Sequence, residues 1–329
     1  MFSVFLATTG QGVARAERAL DTEWSVTAVL SGQQAHCLAQ DARHPHIVYA
    51  GTERNGVLRS ADGGKTWQPR GLSGQQVKAL AVSPVSPETL YAGTRPACLY
   101  VSHDGGGHWT ELAAFRKIPS RRFWFSPVGF IAYVQAIALS PTDPETLVVG
   151  IEVGAVVRSS DGGQTWTDHR RGALRDCHSL AFHRIAGGWV YEAGGSGAGV
   201  SFSRDAGACW TQPGDGLDRH YGWAMAADPA QPDIWYASLS PGALKAHSDH
   251  NAQATIVRSR RGAPWQALAG GLPQPLNHMP YALLTDPAAP GDIYAGLSNG
   301  EVWHGTEYGD AWRQLPFQLG SIERVLIAL

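Results

Sequence analysis

Charge is scarce in this chain. Of its 329 residues 16% are Asp, Glu, Lys or Arg, and 26 basic side chains nearly balance 28 acidic ones, for a formal net charge of −2. Such a surface has no long-range field to gather nucleic acid or to hold the chain on an anionic bilayer, so neither is expected as a partner. Any charged ligand has to be met by a local cluster. Cysteine is scarce as well: Cys37, Cys98, Cys177 and Cys209 lie far apart and form no C-x-x-C pair. That argues against a zinc ribbon or a thioredoxin-like site and for mostly buried free thiols. Long apolar runs are missing. The opening segment has Val4-Phe-Leu-Ala7 with no basic stretch before it, too short a run for a secretory leader or a membrane span, so a soluble, cytoplasmic chain is the expectation.

Glycine, proline and tryptophan are plentiful, at 39, 20 and 12 residues. This is the profile of a turn-rich globular chain. Length alone would suggest two domains, so the repeat content has to decide. Ser60-Ala-Asp62-Gly-Gly64-Lys-Thr66-Trp67 recurs as Ser159-Ser-Asp161-Gly-Gly163-Gln-Thr165-Trp166, as Ser102-His-Asp104-Gly-Gly106-Gly-His108-Trp109 and as Ser203-Arg-Asp205-Ala-Gly207-Ala-Cys209-Trp210. The pattern is that of a hairpin: Ser and Asp oxygens accept backbone N–H groups in a turn, Gly allows positive φ, and Trp anchors the returning strand on a neighbouring sheet. Eroded copies end at Trp265 and Trp312, and the most degenerate ends at Trp24. Ahead of each box lie runs such as Val77 to Ser83, Thr89 to Gly93 and Cys98 to Ser102, which makes four short strands per repeat.

The seven tryptophans are 42 to 57 residues apart, the period of one propeller blade. The expected fold is therefore all-β, a single seven-bladed β-propeller domain spanning 1–329 with four-stranded blades. The first repeat begins at Ser3-Val-Phe-Leu-Ala7 without an innermost strand, and Ile322 to Leu329 resembles one. The C-terminal strand should thus complete the first blade and close the ring.

The S-x-D-x-G-x-T-W pattern resembles the Asp-box, or bacterial neuraminidase repeat, of sialidases, xyloglucanases, sortilin-type receptors and photosystem II assembly factors. Those families differ in activity, so the resemblance implies a fold and selects no function. Phe115-Arg-Lys-Ile-Pro119 looks like the F-R-I-P motif of sialidases, but it has an extra Lys and sits mid-chain, and sialidases have six blades. A standard sialidase is therefore rejected. Xyloglucanases pair two propellers around a cleft, and this chain supplies one.

Register locates the face where a ligand would sit. Aligning the inner strands on Leu38, Leu80, Ile137, Leu180, Met225, Leu283 and Leu326 puts the residues two earlier in the central channel, nearer one face. These are His36, Lys78, Gln135, His178, Trp223, Tyr281 and Arg324. An apolar ring lies below a ring of imidazoles, cations, an amide and aromatics, which is the composition of a ligand pocket. Gln34, Gln76, Tyr133, Asp176, Tyr221 and Met279 continue outward, with His278 beside them, and Glu53, Arg95 and Glu152 end the second strands at similar height. Two insertions, 113–132 and 238–254, map to the same face. Both could cover the pocket as a lid, with Arg121, Arg122 and Trp124 of the first gripping an anionic or sugar-like ligand by charge and stacking.

The candidate catalytic groups are Glu152, Asp176, His178 and Tyr281. Glu53, Glu152 and Asp176 could supply the two acids of a glycosidase. A lyase would use His178 or Tyr281 as base and Arg95 or Arg324 to neutralise a substrate carboxylate, as some His-rich seven-bladed polysaccharide lyases suggest by resemblance. No cofactor is assigned; a divalent metal, if bound, would be held by His36, Gln135 and His178, although their spacing is not a recognised ligand motif. His247-Ser-Asp249-His250 reads as a polar loop, and Gly194 to Gly199 as a turn, since no helix follows to make a phosphate cradle. The expected ligand is small, polar and anionic or carbohydrate-like, bound by a hydrolase or lyase. The alternative is a non-catalytic assembly platform.

Overall fold

A computed structural model of the chain describes residues 2–18 and 23–329. Seven antiparallel sheets follow one another around a ring. Their innermost strands are Leu326–Ala328, Ala35–Gln40, Gln76–Val82, Val134–Leu139, Cys177–Phe182, Tyr221–Ala227 and Pro280–Thr285. In the first blade, Leu326–Ala328 comes from the end of the chain and pairs antiparallel with Val4–Thr9, Phe5 opposite Ala328 and Ala7 opposite Leu326. The expected closure is present. In blades four and five the outermost strand is reduced to one bridge each, Arg158 with Thr167 and Phe202 with Thr211.

The Asp-boxes form the hairpins their composition dictates. In the first, Ser60 Oγ lies 2.7 Å from Asp62 Oδ1 and accepts from Gly64 N at 2.8 Å. Asp62 also accepts from Thr66 N and its hydroxyl, and Trp67 Nε1 donates to Gly64 O. The bonds recur around Asp104, Asp161 and Asp205. Each boxed tryptophan packs at the seam with the preceding blade: Trp67, Trp109, Trp166, Trp210, Trp265 and Trp312 each join a different apolar cluster, and Trp24 joins the cluster of blades seven and one. The core is thus a circle of seven seams.

Second strands sit between two neighbours, and Val48–Thr52, Leu147–Ile151, Val190–Gly194 and Ile293–Leu297 are buried at every position. Near the end of the second strand a glycine makes room where the next blade's inner strand crosses, as at Gly51 in Val48–Thr52 and Gly93 in Leu90–Arg95. A Cβ on Gly51 would lie 2.7 Å from Val77 Cγ1, and one on Gly93 would overlap Val134. Three thiols are buried as expected, whereas Cys209, standing at the Thr position of its box, is exposed. Blade five also buries Glu192 completely; Leu174 N donates to it, and burial holds its carboxyl well above the usual range. No helix among the described residues is long and apolar enough to cross a membrane.

Candidate functional site

All seven residues of the apolar ring line one central cavity of about 200 Å³, together with Gln135, His178, Trp223, Tyr281 and Arg324 from the polar ring. The inner strands deliver these side chains by a shared irregularity. Between Ala35 and Cys37, Val77 and Ala79, Val134 and Ala136, Cys177 and Ser179, and Pro280 and Ala282 the register slips by one residue. His36, Lys78, Gln135, His178 and Tyr281 are thus the bulged, unpaired residues of their strands, and blade six slips over Trp223 and Ala224. A bulge re-aims a side chain and ends regular pairing, so blade after blade turns its candidate residue toward the channel.

The mouth divides into sectors. In the cationic one, His36 Nε2 lies 2.7 Å from Glu53 Oε2, to which Gln76 Nε2 also donates, and Lys78 Nζ lies 3.4 Å from His36 Nδ1. Burial and Lys78 hold His36 down at about 4 against the pull of Glu53. The ring is therefore neutral, donating from Nε2 and accepting at Nδ1. Burial, then Arg324, brings the Lys78 ammonium down to about 8. Lys78 and Arg95 share the Tyr133 ring, at 5.0 and 5.8 Å from its centroid. Arg324 reaches across the channel to donate to Gln135 O. Among the described residues no carboxylate comes within ion-pair distance of Lys78, Arg95 or Arg324.

The aromatic sector faces it. Trp223 lies against the His178 ring at 4.4 Å and the Tyr281 ring at 4.9 Å. His247, from the second insertion, bridges Tyr221 OH at 3.0 Å and Tyr281 OH at 2.7 Å. Tyr281 donates in turn to Ala246 O, which leaves His247 Nδ1 as its donor and Nε2 as acceptor from Tyr221. Burial, then His178, lowers His247, in keeping with a neutral ring. The sequence reading set this histidine aside as part of a polar loop; its place in an insertion on the ligand face was the signal. Burial pushes Tyr281 up to about 12 and Tyr221 and Tyr133 higher still, so these phenols are hydrogen-bond donors and poor bases.

The third sector is acidic. Glu152, Asp176 and His178 each bring one ligand atom within 4.8 Å of the others. His178 Nδ1 lies 2.6 Å from Gly222 O. Asp176 packs its carboxylate on Gly195, where any Cβ would overlap it.

Other expected members are elsewhere. Trp124 is 8% exposed and packs against Phe115 and Gly154 in the core, with Nε1 bonded to Ser120 Oγ. It cannot stack on a ligand. Arg121 donates to Ala97 O, and Arg122 lies over the exposed Phe123 ring. Neither joins the central cluster. The F-R-I-P-like segment is a plug, with Phe115 and Ile118 buried beside Trp166. Met279 is likewise core, and His278 lies beside His250 near the second insertion. Of the metal set expected from the ring, His36 is engaged by Glu53 and Lys78.

The family model for the photosynthesis system II assembly factor YCF48 matches residues 16–174. Its span includes three of the four intact boxes, and those boxes carry the repeat's hydrogen bonds. The chain is a β-propeller that carries Asp-box hairpins. A xyloglucanase from Paenibacillus sp is 24% identical to this propeller over 240 residues, which are 61% of this chain and 22% of that protein. The solved GH74 xyloglucanase from Xanthomonas campestris aligns with a TM-score of 0.72 and 18% identity over 95% of this chain and 52% of its own. YCF48 bound to a D1 peptide aligns with a TM-score of 0.61 and 18% identity over 91% and 86%. At these identities the likeness is one of fold. The propeller spans about a fifth of the curated xyloglucanase and half of the solved one.

Proposed function

We propose that this propeller binds an anionic, carbohydrate-like ligand at the mouth of its channel. The observation that carries the reading is the convergence of Lys78, Arg95 and Arg324 at the channel mouth with no carboxylate among the described residues within ion-pair distance. Cations held together at such a cost in repulsion and desolvation become favourable when an anion joins them. Trp223, half-buried at the mouth, offers a ring to a sugar, and Glu152 and Asp176 lie beside it. A carboxylate-bearing saccharide fits this division better than the neutral polymer named for the curated relative.

The test is calorimetry with galacturonate oligosaccharides and, in parallel, neutral xyloglucan oligosaccharides. The acidic series is expected to bind. Lys78→Ala and Arg324→Gln should each weaken it by about 2 kcal/mol, roughly 30-fold, as for one charge-assisted hydrogen bond. Following the same mixtures for new reducing ends or unsaturated products tests the hydrolase and lyase readings. Equal binding of the acidic series by wild type and both variants would refute the site.

One observation favours a second reading, an assembly platform. Phe123, Phe125, Val128, Phe130 and Ile131 are exposed in the first insertion, and Arg95 ties that loop to the mouth by donating to Val128 O. Apolar side chains so grouped suit a protein partner. On that reading Phe123→Ser with Phe130→Ser removes stoichiometric partner binding and leaves saccharide titrations unchanged.

A further inference from the structure

We propose that Glu152, Asp176 and His178 form a site for one divalent metal ion of the zinc or manganese class. His178 fixes the chemistry. Gly222 O can only accept, so at 2.6 Å the imidazole Nδ1 carries the proton, and Nε2 presents its lone pair to the other side. There Nε2 stands 3.4 Å from Asp176 Oδ1, beyond an ordinary hydrogen bond. Asp176 Oδ1 and Glu152 Oε2 are both buried without a hydrogen-bond donor. Gln135, 3% exposed and lining the same cavity as His178, buries a third orphan oxygen, Oε1.

Acceptors converge here and no donor answers them. Among the described residues no Lys or Arg forms an ion pair with Glu152 or Asp176. Two carboxylates held together in a partly buried site repel each other unless a cation sits between them. A divalent ion neutralises both, and an imidazole whose other nitrogen donates to a backbone carbonyl is the usual form of a ligating histidine. One imidazole with two carboxylates suits zinc or manganese better than soft-ligand metals such as copper(I). Ligand atoms about 2.1 Å from a tetrahedral ion stand roughly 3.4 Å apart, so the present cluster, within 4.8 Å, has only to draw in slightly to hold an ion. This set shares only His178 with the one expected from sequence spacing.

The site stands apart from the anion-binding reading, because its test uses the metal alone. Protein stripped with EDTA is titrated with Zn²⁺, and separately with Mn²⁺, while heat release and unfolding temperature are followed. Wild type is expected to bind one ion per chain and to unfold at a higher temperature when loaded. The near-isosteric Asp176→Asn and Glu152→Gln, and His178→Ala, should each weaken binding on the order of 100-fold or more. His108→Ala, which removes an exposed imidazole beside Asp104, should bind as wild type. Circular dichroism confirms that each variant is folded, and two isosteric changes keep the test decisive if one variant fails. Co²⁺ substitution adds a second readout, a visible absorption band that shifts when His178 is removed. Equal binding by wild type and Asp176→Asn would assign the ion to the surface and overturn the proposal. No binding by wild type would overturn it too.

Discussion

Deleting residues 322–329 is expected to abolish the cooperative unfolding transition of the whole ring. The segment supplies the innermost strand of the first blade. Its removal takes away the Phe5–Ala328 and Ala7–Leu326 pairs, the bonds from Ser3 N and Val4 N to Leu329 O, and those joining Thr8 to Val325 and Glu323. Ile322, fully buried, and Leu326 leave the seam between blades seven and one. Two buried aliphatic side chains are worth about 2–3 kcal/mol each, and the exposed strand Val4–Thr9 becomes an open edge that invites pairing with another chain. The total, on the order of 10 kcal/mol, matches the full stability of an ordinary domain. The truncated chain should therefore aggregate or show no sharp transition in urea. Adding the peptide 322–329 back in excess should restore part of the transition. An unchanged midpoint in the truncated chain would contradict the closure.

The second large effect is at Gly93. The inner strand of blade four crosses the second strand of blade three there, and a Cβ would overlap Cβ and Cγ1 of Val134. Val134 is fully buried and its backbone is held by pairing with Ile151, so it cannot swing aside. Gly93→Val is expected to destabilise by about 3 kcal/mol, at the upper end of the usual range for overpacking, seen as a lower urea midpoint. Gly242→Ala, where a Cβ meets nothing within 4 Å, should leave the midpoint within about 0.5 kcal/mol of wild type. A small effect at Gly93 would mean that the blades do not approach each other as closely as described.

The ring was legible in the sequence because its determinants are local. Ser60, Asp62, Gly64 and Trp67 make their turn within a span of eight residues, and the same turn recurs. A repeated local turn fixes a blade, and the number of blades fixes the closure. The channel residues were legible for a related reason: period-two alternation picks one face of each inner strand. The bulges behind that alternation were not, since they depend on pairing across strands. The two insertions were the hardest to place. Trp124 carried every outward sign of a binding aromatic, yet three-dimensional packing sends it under Gly154, where the missing side chain leaves it room. His247, whose only sign was its place in an insertion on the ligand face, reaches the channel because the helix Ala243–Ala246 turns the loop back over Tyr281. Loops have no register, so pattern reasoning loses them.

The measurement that bears most directly on the anion-binding mouth is a calorimetric titration of galacturonate oligosaccharide across pH, for wild type and Lys78→Ala. Lys78 loses its proton at about 8 where an ordinary lysine holds it to 10.5. A bound anion draws on that charge, so wild-type affinity should be full at pH 6.5 and fall as pH rises through 8 and beyond. Lys78→Ala should start weaker and lack that fall. Binding that is pH-independent, equal in the variant and no better than that of neutral xyloglucan oligosaccharide would contradict the account.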